Sequence, residues 1–177
     1  MNKRVCFVGD SHVAALRLGL GLAGGERYSD QVDIFGARGK GLKSLSVEGD
    51  VISSDDTVVK ESFEFTGGAS SIELEKYDAV CVVGCFAGQR AVQAIVKDYA
   101  TSTMKLADTI PVSRRLFEAM LASLVEKSLA YDVVRKISLA SAKPLYYMEN
   151  PLYSIDILSH PHGSLLKAVL DAGAMAE

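Results

Sequence analysis

The stretch Arg4-Val5-Cys6-Phe7-Val8-Gly9-Asp10-Ser11-His12 decides how the chain is read. Four apolar residues in succession, Val5 to Val8, predict a buried strand, because a strand covered on both faces reads as a continuous apolar run. Gly9-Asp10-Ser11 then turns straight into a helical pattern beginning near His12. A strand, a tight turn and a helix N-terminus put Ser11 where unpaired backbone N–H groups and the positive end of a helix dipole stabilise an oxyanion or an anionic ligand. The same letters fit a plainer role, since Asp and Ser are favoured caps at any helix start. Place favours the site: the first strand-to-helix turn of an α/β sheet is where such folds put their ligands.

At 177 residues the chain is long enough for one domain with a sizeable core and too short for two comfortable ones. Its 49% hydrophobic and 23% charged residues describe an ordinary globular protein. A net charge of −3 offers no electrostatic case for nucleic acid or an anionic membrane. No apolar run approaches the roughly 18 to 20 residues that span a bilayer. The N-terminus lacks a signal peptide's apolar region and cleavage site, so the expected compartment is the cytoplasm. Cys6, Cys81 and Cys85 lie in or beside apolar segments, where free thiols act as small hydrophobes; a reactive Cys85 at a strand end is the alternative. Cys81-x-x-x-Cys85 without a companion His or Cys pair is not a zinc spacing, and neither metal nor cofactor is expected.

In order, the chain predicts a strand near 4–8 and a helix near 11–23, its apolar face made by Val13, Leu16 and Leu20 with Leu18 and Leu22 on a neighbouring row. Val32-Asp33-Ile34-Phe35 reads as a second strand running into Gly36-Ala37-Arg38-Gly39-Lys40-Gly41, which fits either positive-φ backbone near a ligand or a flexible loop. Residues 45–76 break the α/β rhythm. Leu45–Val47 and Val51–Ile52 suggest a hairpin, alternation at Val59, Glu61, Phe63 and Phe65 predicts another extended segment, and Ile72 and Leu74 a short strand. These make a β insertion within a single domain spanning 1–177. Tyr77 to Gly84 is the clearest central strand, and it ends in a second glycine turn, Gly84 to Gly88. Residues 88–104 suggest a weaker helix or loop. Ile110-Pro111-Val112-Ser113 leads, with Ser113 as cap, into a long helix to about 140, with Leu116, Met120 and Leu124 beside Phe117, Leu121 and Val125 on its inner face. Pro144 to Met148 reads as a fourth core strand, and a last helix begins near Gly163.

Gly9-Asp10-Ser11 after the first strand, with glycine turns after the second and third, resembles the opening blocks of the SGNH (GDSL) hydrolase superfamily, and Gly-Asp-Ser-His-x-Ala-Ala-Leu is similar to uncharacterised members of it. The resemblance covers about residues 4–150 as an order of elements, with the first block specific in letters. It implies α/β architecture, a flavodoxin-like three-layer αβα sandwich with a mostly parallel sheet. It also implies hydrolysis or transfer of an ester, such as an O-acyl group on a carbohydrate or lipid. By that likeness Ser11 is the nucleophile, beside Asp10. Its oxyanion is held by its own N–H, by a glycine N–H at Gly39 or Gly41, and by the third block at Gly84 and Cys85. A serine hydroxyl needs a base to take its proton and donors already aimed at the developing charge.

Two departures from the family pattern bear on that chemistry. The family's third-block Asn falls on Phe86, and the only asparagines are Asn2 and Asn150, which leaves backbone N–H groups between Cys85 and Gly88 as donors. His12 follows Ser11 directly, so the two side chains diverge, and the base falls to His160 or His162, with Asp156 as the orienting acid for His160. Asp156-Ile-Leu-Ser-His160 is one residue longer than the family's Asp-x-x-His. Ser159 to Gly163 also reads as a plain polar loop, and His160-x-His162 with Asp156 falls short of a metal site. Four core strands where the family has five imply a second possibility, that the acid and base belong to sequence beyond residue 177. The rival expectation is a catalytically silent α/β module holding an anionic small molecule at its strand-to-helix turns.

Overall fold

Residues 3–22, 31–85, 88–104, 106 and 108–149 are described by the computed structural model. They belong to two compact units, Met1–Phe86 with Ser128–Asn150 and Ala87–Lys127 with Pro151–Glu177. In the first unit β1 (Val5–Gly9), α1 (Val13–Leu22) and β2 (Val32–Gly36) form a β-α-β crossover. An antiparallel excursion follows, with β3 (Leu45–Glu48), β4 (Val51–Ser54), α2 (Thr57–Gly67) and β5 (Ile72–Glu73), and the chain returns through β6 (Ala79–Val83). The second unit contains α3 (Gly88–Val96), β7 (Tyr99–Thr101), β8 (Ile110–Val112) and α4 (Arg114–Glu126). α5 (Leu129–Ala140) and β9 (Leu145–Met148) complete the first.

The central sheet runs β2-β1-β6-β9, every pair parallel, in the α/β arrangement the sequence predicts. The right-handed crossovers usual for parallel strands predict α1 on one face of the sheet and α2 on the other. Alternation along the strands agrees. Ile34, Cys81 and Val83 pack with Val13, Leu16 and Leu20 of α1, whereas Phe35 meets Phe63 of α2 edge-on, ring centroids 5.6 Å apart. Cys6, Val8 and Val82 are wholly inaccessible to solvent, as strands covered on both faces require.

Several elements differ from the sequence reading, each for a local reason. Residues 57–67 are helical, not extended. Asp56 caps the helix by accepting from the Val58 N–H at 2.9 Å, and Gly68 closes it in the left-handed region at φ 79°. The alternation of apolar residues concealed an i, i+4 pair: Val59 and Phe63 are buried, while Phe65 is 85% exposed. The long helix expected to 140 is two helices, because Ser128 starts a second one by accepting from the Tyr131 N–H. Residues 99–101 and 110–112 pair as short parallel strands, so Ile110-Pro111-Val112 is not part of a helix. Leu18 and Leu22 of α1 and Leu116 of α4 are exposed, not core. The core of the second unit is Ile95, Val96, Ala100, Met104 and Phe117. The helix expected from Gly163 lies outside the described residues.

One close approach sets the geometry at the carboxyl end of the sheet. A Cβ built on Gly9 would lie 2.2 Å from the Val83 carbonyl oxygen, a backbone atom that cannot step aside. Gly9→Ala is therefore expected to destabilise the fold by about 3 kcal/mol or more. Gly19→Ala, on a helix face with nothing within 4 Å, is expected to stabilise by up to about 1 kcal/mol. Urea denaturation of both variants checks the pair, and equal midpoints would contradict the close-approach account.

Candidate functional site

The turn after β1 is organised by a carboxylate. Asp10 is 7% exposed, and a buried carboxylate must find donors. Its Oδ1 accepts from the His12 N–H at 3.1 Å and lies 2.6 Å from His12 Nδ1. Its Oδ2 accepts from the Cys85 N–H at 2.9 Å. Because a carboxylate only accepts, the imidazole nitrogen facing it carries a proton, which fixes ring orientation. The Asp10 carbonyl accepts from the Val13 N–H at 3.1 Å, so Asp10 closes the turn that leads into α1 with both its carboxylate and its carbonyl.

Ser11 is left outside that network. It is exposed, and among the described residues neither its hydroxyl nor its backbone N–H has a hydrogen-bond partner. It lines a cavity of about 310 Å³ beyond the carboxyl ends of β1 and β2. Asp10, Val13 and Ala14 at the start of α1, Gly36 to Arg38 at the end of β2, and Ser62, Phe65 and Thr66 of α2 also line it. The Thr66 hydroxyl accepts from the Gly36 N–H at 2.9 Å and donates to the Ser62 carbonyl, locking the end of β2 to α2.

The remaining residues suggested by the sequence divide clearly. Gly41 donates its N–H to the Arg38 carbonyl at 3.0 Å. Gly84 donates to the Met148 carbonyl at 2.8 Å, and its own carbonyl accepts from the Tyr147 hydroxyl. The Cys85 amide is held by Asp10, and Gly84 and Cys85 both adopt left-handed backbone, at φ 82° and 66°, which turns that amide back toward β1. These three amides are engaged within the fold. Gly39 opens a 3-10 helix over Gly39–Ser44, where the first amides have no intrahelical acceptor. Phe86, Asp156, His160 and His162 lie outside the described residues. Arg38 and the α2 residues were not singled out from the sequence: α2 had been read as a strand, and an arginine in a glycine loop carries no signal of what it faces.

Burial raises the thiol of Cys85, and the Asp10 carboxylate adds to the effect, to about 12. Burial also pushes up Cys6 and Cys81. All three are free and buried, so the reactive-Cys85 alternative has no support from its surroundings. Among the described residues no group of His, Cys, Asp and Glu is arranged to hold a metal ion. No described helix is long and apolar enough to cross a membrane.

Fold and site together define an α/β protein with an exposed serine at the first strand-to-helix turn, lining a cavity, its hydroxyl without a partner among the described residues. Compared with protein-family models, curated proteins and solved structures, the chain matches none.

Two outcomes follow from the Asp10 network. Asp10→Ala orphans the buried Cys85 amide and is expected to lower stability by about 1–3 kcal/mol in denaturant titration. The Cys85 thiol, whose ordinary value is 9.0, is raised in the folded state, so its stabilisation is complete below pH 9 and disappears as pH rises toward 12. Each such group steepens the loss by up to about 1.4 kcal/mol per pH unit. Unfolding midpoints at pH 8 and 10.5 should differ more in the wild type than in Cys85→Ala; equal differences would contradict the assigned burial.

Proposed function

We propose that the protein is a serine hydrolase of the SGNH type that cleaves or transfers an acyl ester, with Ser11 as nucleophile. One observation carries the reading: Ser11, at the turn after the central strand, is exposed, and among the described residues its hydroxyl has no hydrogen-bond partner, while the neighbouring carboxylate holds the turn. A serine serving only as a cap would accept from its own helix's amides. The Ser11 Oγ attacks the acyl carbon, and its own N–H is the first donor to the oxyanion, with the Gly39 amide as the second. A general base takes the hydroxyl proton and returns it to the leaving alcohol; the sequence offers His160 with Asp156 for that role, and both lie outside the described residues. The acyl-enzyme is released by water or passed to an acceptor hydroxyl. In this reading the Asp10–His12 couple holds the turn and is not the base.

Hydrolysis of p-nitrophenyl acetate tests the proposal. Ser11→Ala is expected to lower kcat by at least about 1,000-fold, and His160→Ala by about 100-fold or more. His12→Gln should stay within about tenfold of the wild type, since its role is geometric. A fluorophosphonate probe should label the wild type and not Ser11→Ala. Equal activity in the wild type and Ser11→Ala, or no labelling, would overturn the hydrolase reading. A loss with His12→Gln but not His160→Ala would reassign the base.

A further inference from the structure

The cavity beside Ser11 carries a charge pattern that the hydrolase reading does not use. Among the described residues, its wall has two acidic or basic side chains, Asp10 and Arg38. Asp10 is held by His12 and by the Cys85 amide. Arg38 is exposed and, among the described residues, has no carboxylate partner, whereas Arg4 pairs with Asp33 at 2.7 Å and Arg114 with Glu118 at 2.9 Å. The wall hydroxyls already donate: Ser62 to the Val58 carbonyl and Thr66 to the Ser62 carbonyl, each at 2.7 Å. Val13, Ala14, Ala37 and Phe65 give the same cavity an apolar share of its lining.

We infer that this cavity is the acyl subsite, and that it selects short acyl groups ending in a carboxylate, which Arg38 binds. The assignment of the acyl half rests on the hydrolase reading; the anion site at Arg38 does not. A guanidinium matches a carboxylate through two parallel N–H donors, and apolar walls suit the methylenes between the ester carbonyl and the charged end. A volume of about 310 Å³ is at the small end of ligand pockets, which restricts the chain to a few carbons. Of the two acidic or basic side chains that line the cavity among the described residues, Asp10 is held by described partners and Arg38 is not.

Matched esters and a binding measurement separate this inference from the reading beneath it. The p-nitrophenyl monoester of glutarate carries a carboxylate at the end of its acyl chain, and p-nitrophenyl pentanoate is its neutral counterpart of equal length. The wild type is expected to favour the glutarate monoester in kcat/KM by about tenfold or more over background. Arg38→Gln should abolish the preference while hydrolysing pentanoate within about threefold of the wild type, and Arg38→Lys should keep part of it. In parallel, free glutarate is titrated by NMR into Ser11→Ala and Ser11→Ala/Arg38→Gln, with inorganic phosphate as a second ligand. Glutarate binding that disappears with Arg38 supports the subsite even if no ester is cleaved, an outcome that would sink only the hydrolase. Equal turnover of both esters, unaffected by Arg38→Gln, overturns the inference and leaves the hydrolase standing. Absence of glutarate binding overturns it as well, and phosphate bound at Arg38 in place of glutarate overturns the carboxylate assignment.

Discussion

The carboxylate of Asp10 is the constraint on which the rest of the first unit's carboxyl edge depends. Removed from water, an ionised acid demands donors, and it finds them on two elements that the chain makes far apart: the first amide and imidazole of the α1 entry, and the amide of Cys85 at the exit of β6. That one group therefore fastens the central strand's turn to its neighbour's. Cys85 adopts a left-handed backbone, which disfavours a residue with a Cβ by roughly 1–2 kcal/mol, and the charge-assisted bond it makes there offsets the strain. Tyr147 and Met148 hold the preceding Gly84 from the other side, so the turn is fixed by contacts from two strands.

Close packing reinforces this electrostatic clasp. Gly9 and Gly36 stand level in the β1–β2 register, and Val13 fits over both, 2.9 and 2.6 Å from where their Cβ atoms would be. Two missing side chains let the start of α1 sit directly on the sheet. The Thr66 hydroxyl, bonded to the Gly36 amide, brings the last turn of α2 to the same edge. The cavity is the space left between these two helices, and its shape follows from a pair of glycines, a valine and a threonine.

The parts legible in the sequence were those whose signal is local. Val5 to Val8 and Ala79 to Val83 read as strands because both faces are covered, and the Gly9-Asp10-Ser11 turn followed from the abrupt change of period. α2 defeats a reading by alternation because Val59, Phe63 and Phe65 fit a period of two, whereas Val59 and Phe63 alone fit one of nearly four; the capping Asp56 and the closing Gly68 carry the correct answer. The break at Ser128 escaped notice because apolar spacing continues through it, and only the serine's capping preference marks a restart. The role of Asp10 was hidden for a different reason. Its decisive partner is 75 residues away, and no local pattern reports a contact of that separation.

Asp10 also bears on what Ser11 can do. A carboxylate one residue from the Ser11 hydroxyl would oppose negative charge there if its own charge faced the same space, since like charges a few ångströms apart repel strongly where water is excluded. Holding both oxygens against donors on the protein side directs that charge inward. Among the described residues the cavity is then lined by Arg38, which has no carboxylate partner, and by the start of α1. Both favour negative charge in that space. The same inward carboxylate that frees Ser11 from capping thus sets the polarity of the space in front of it.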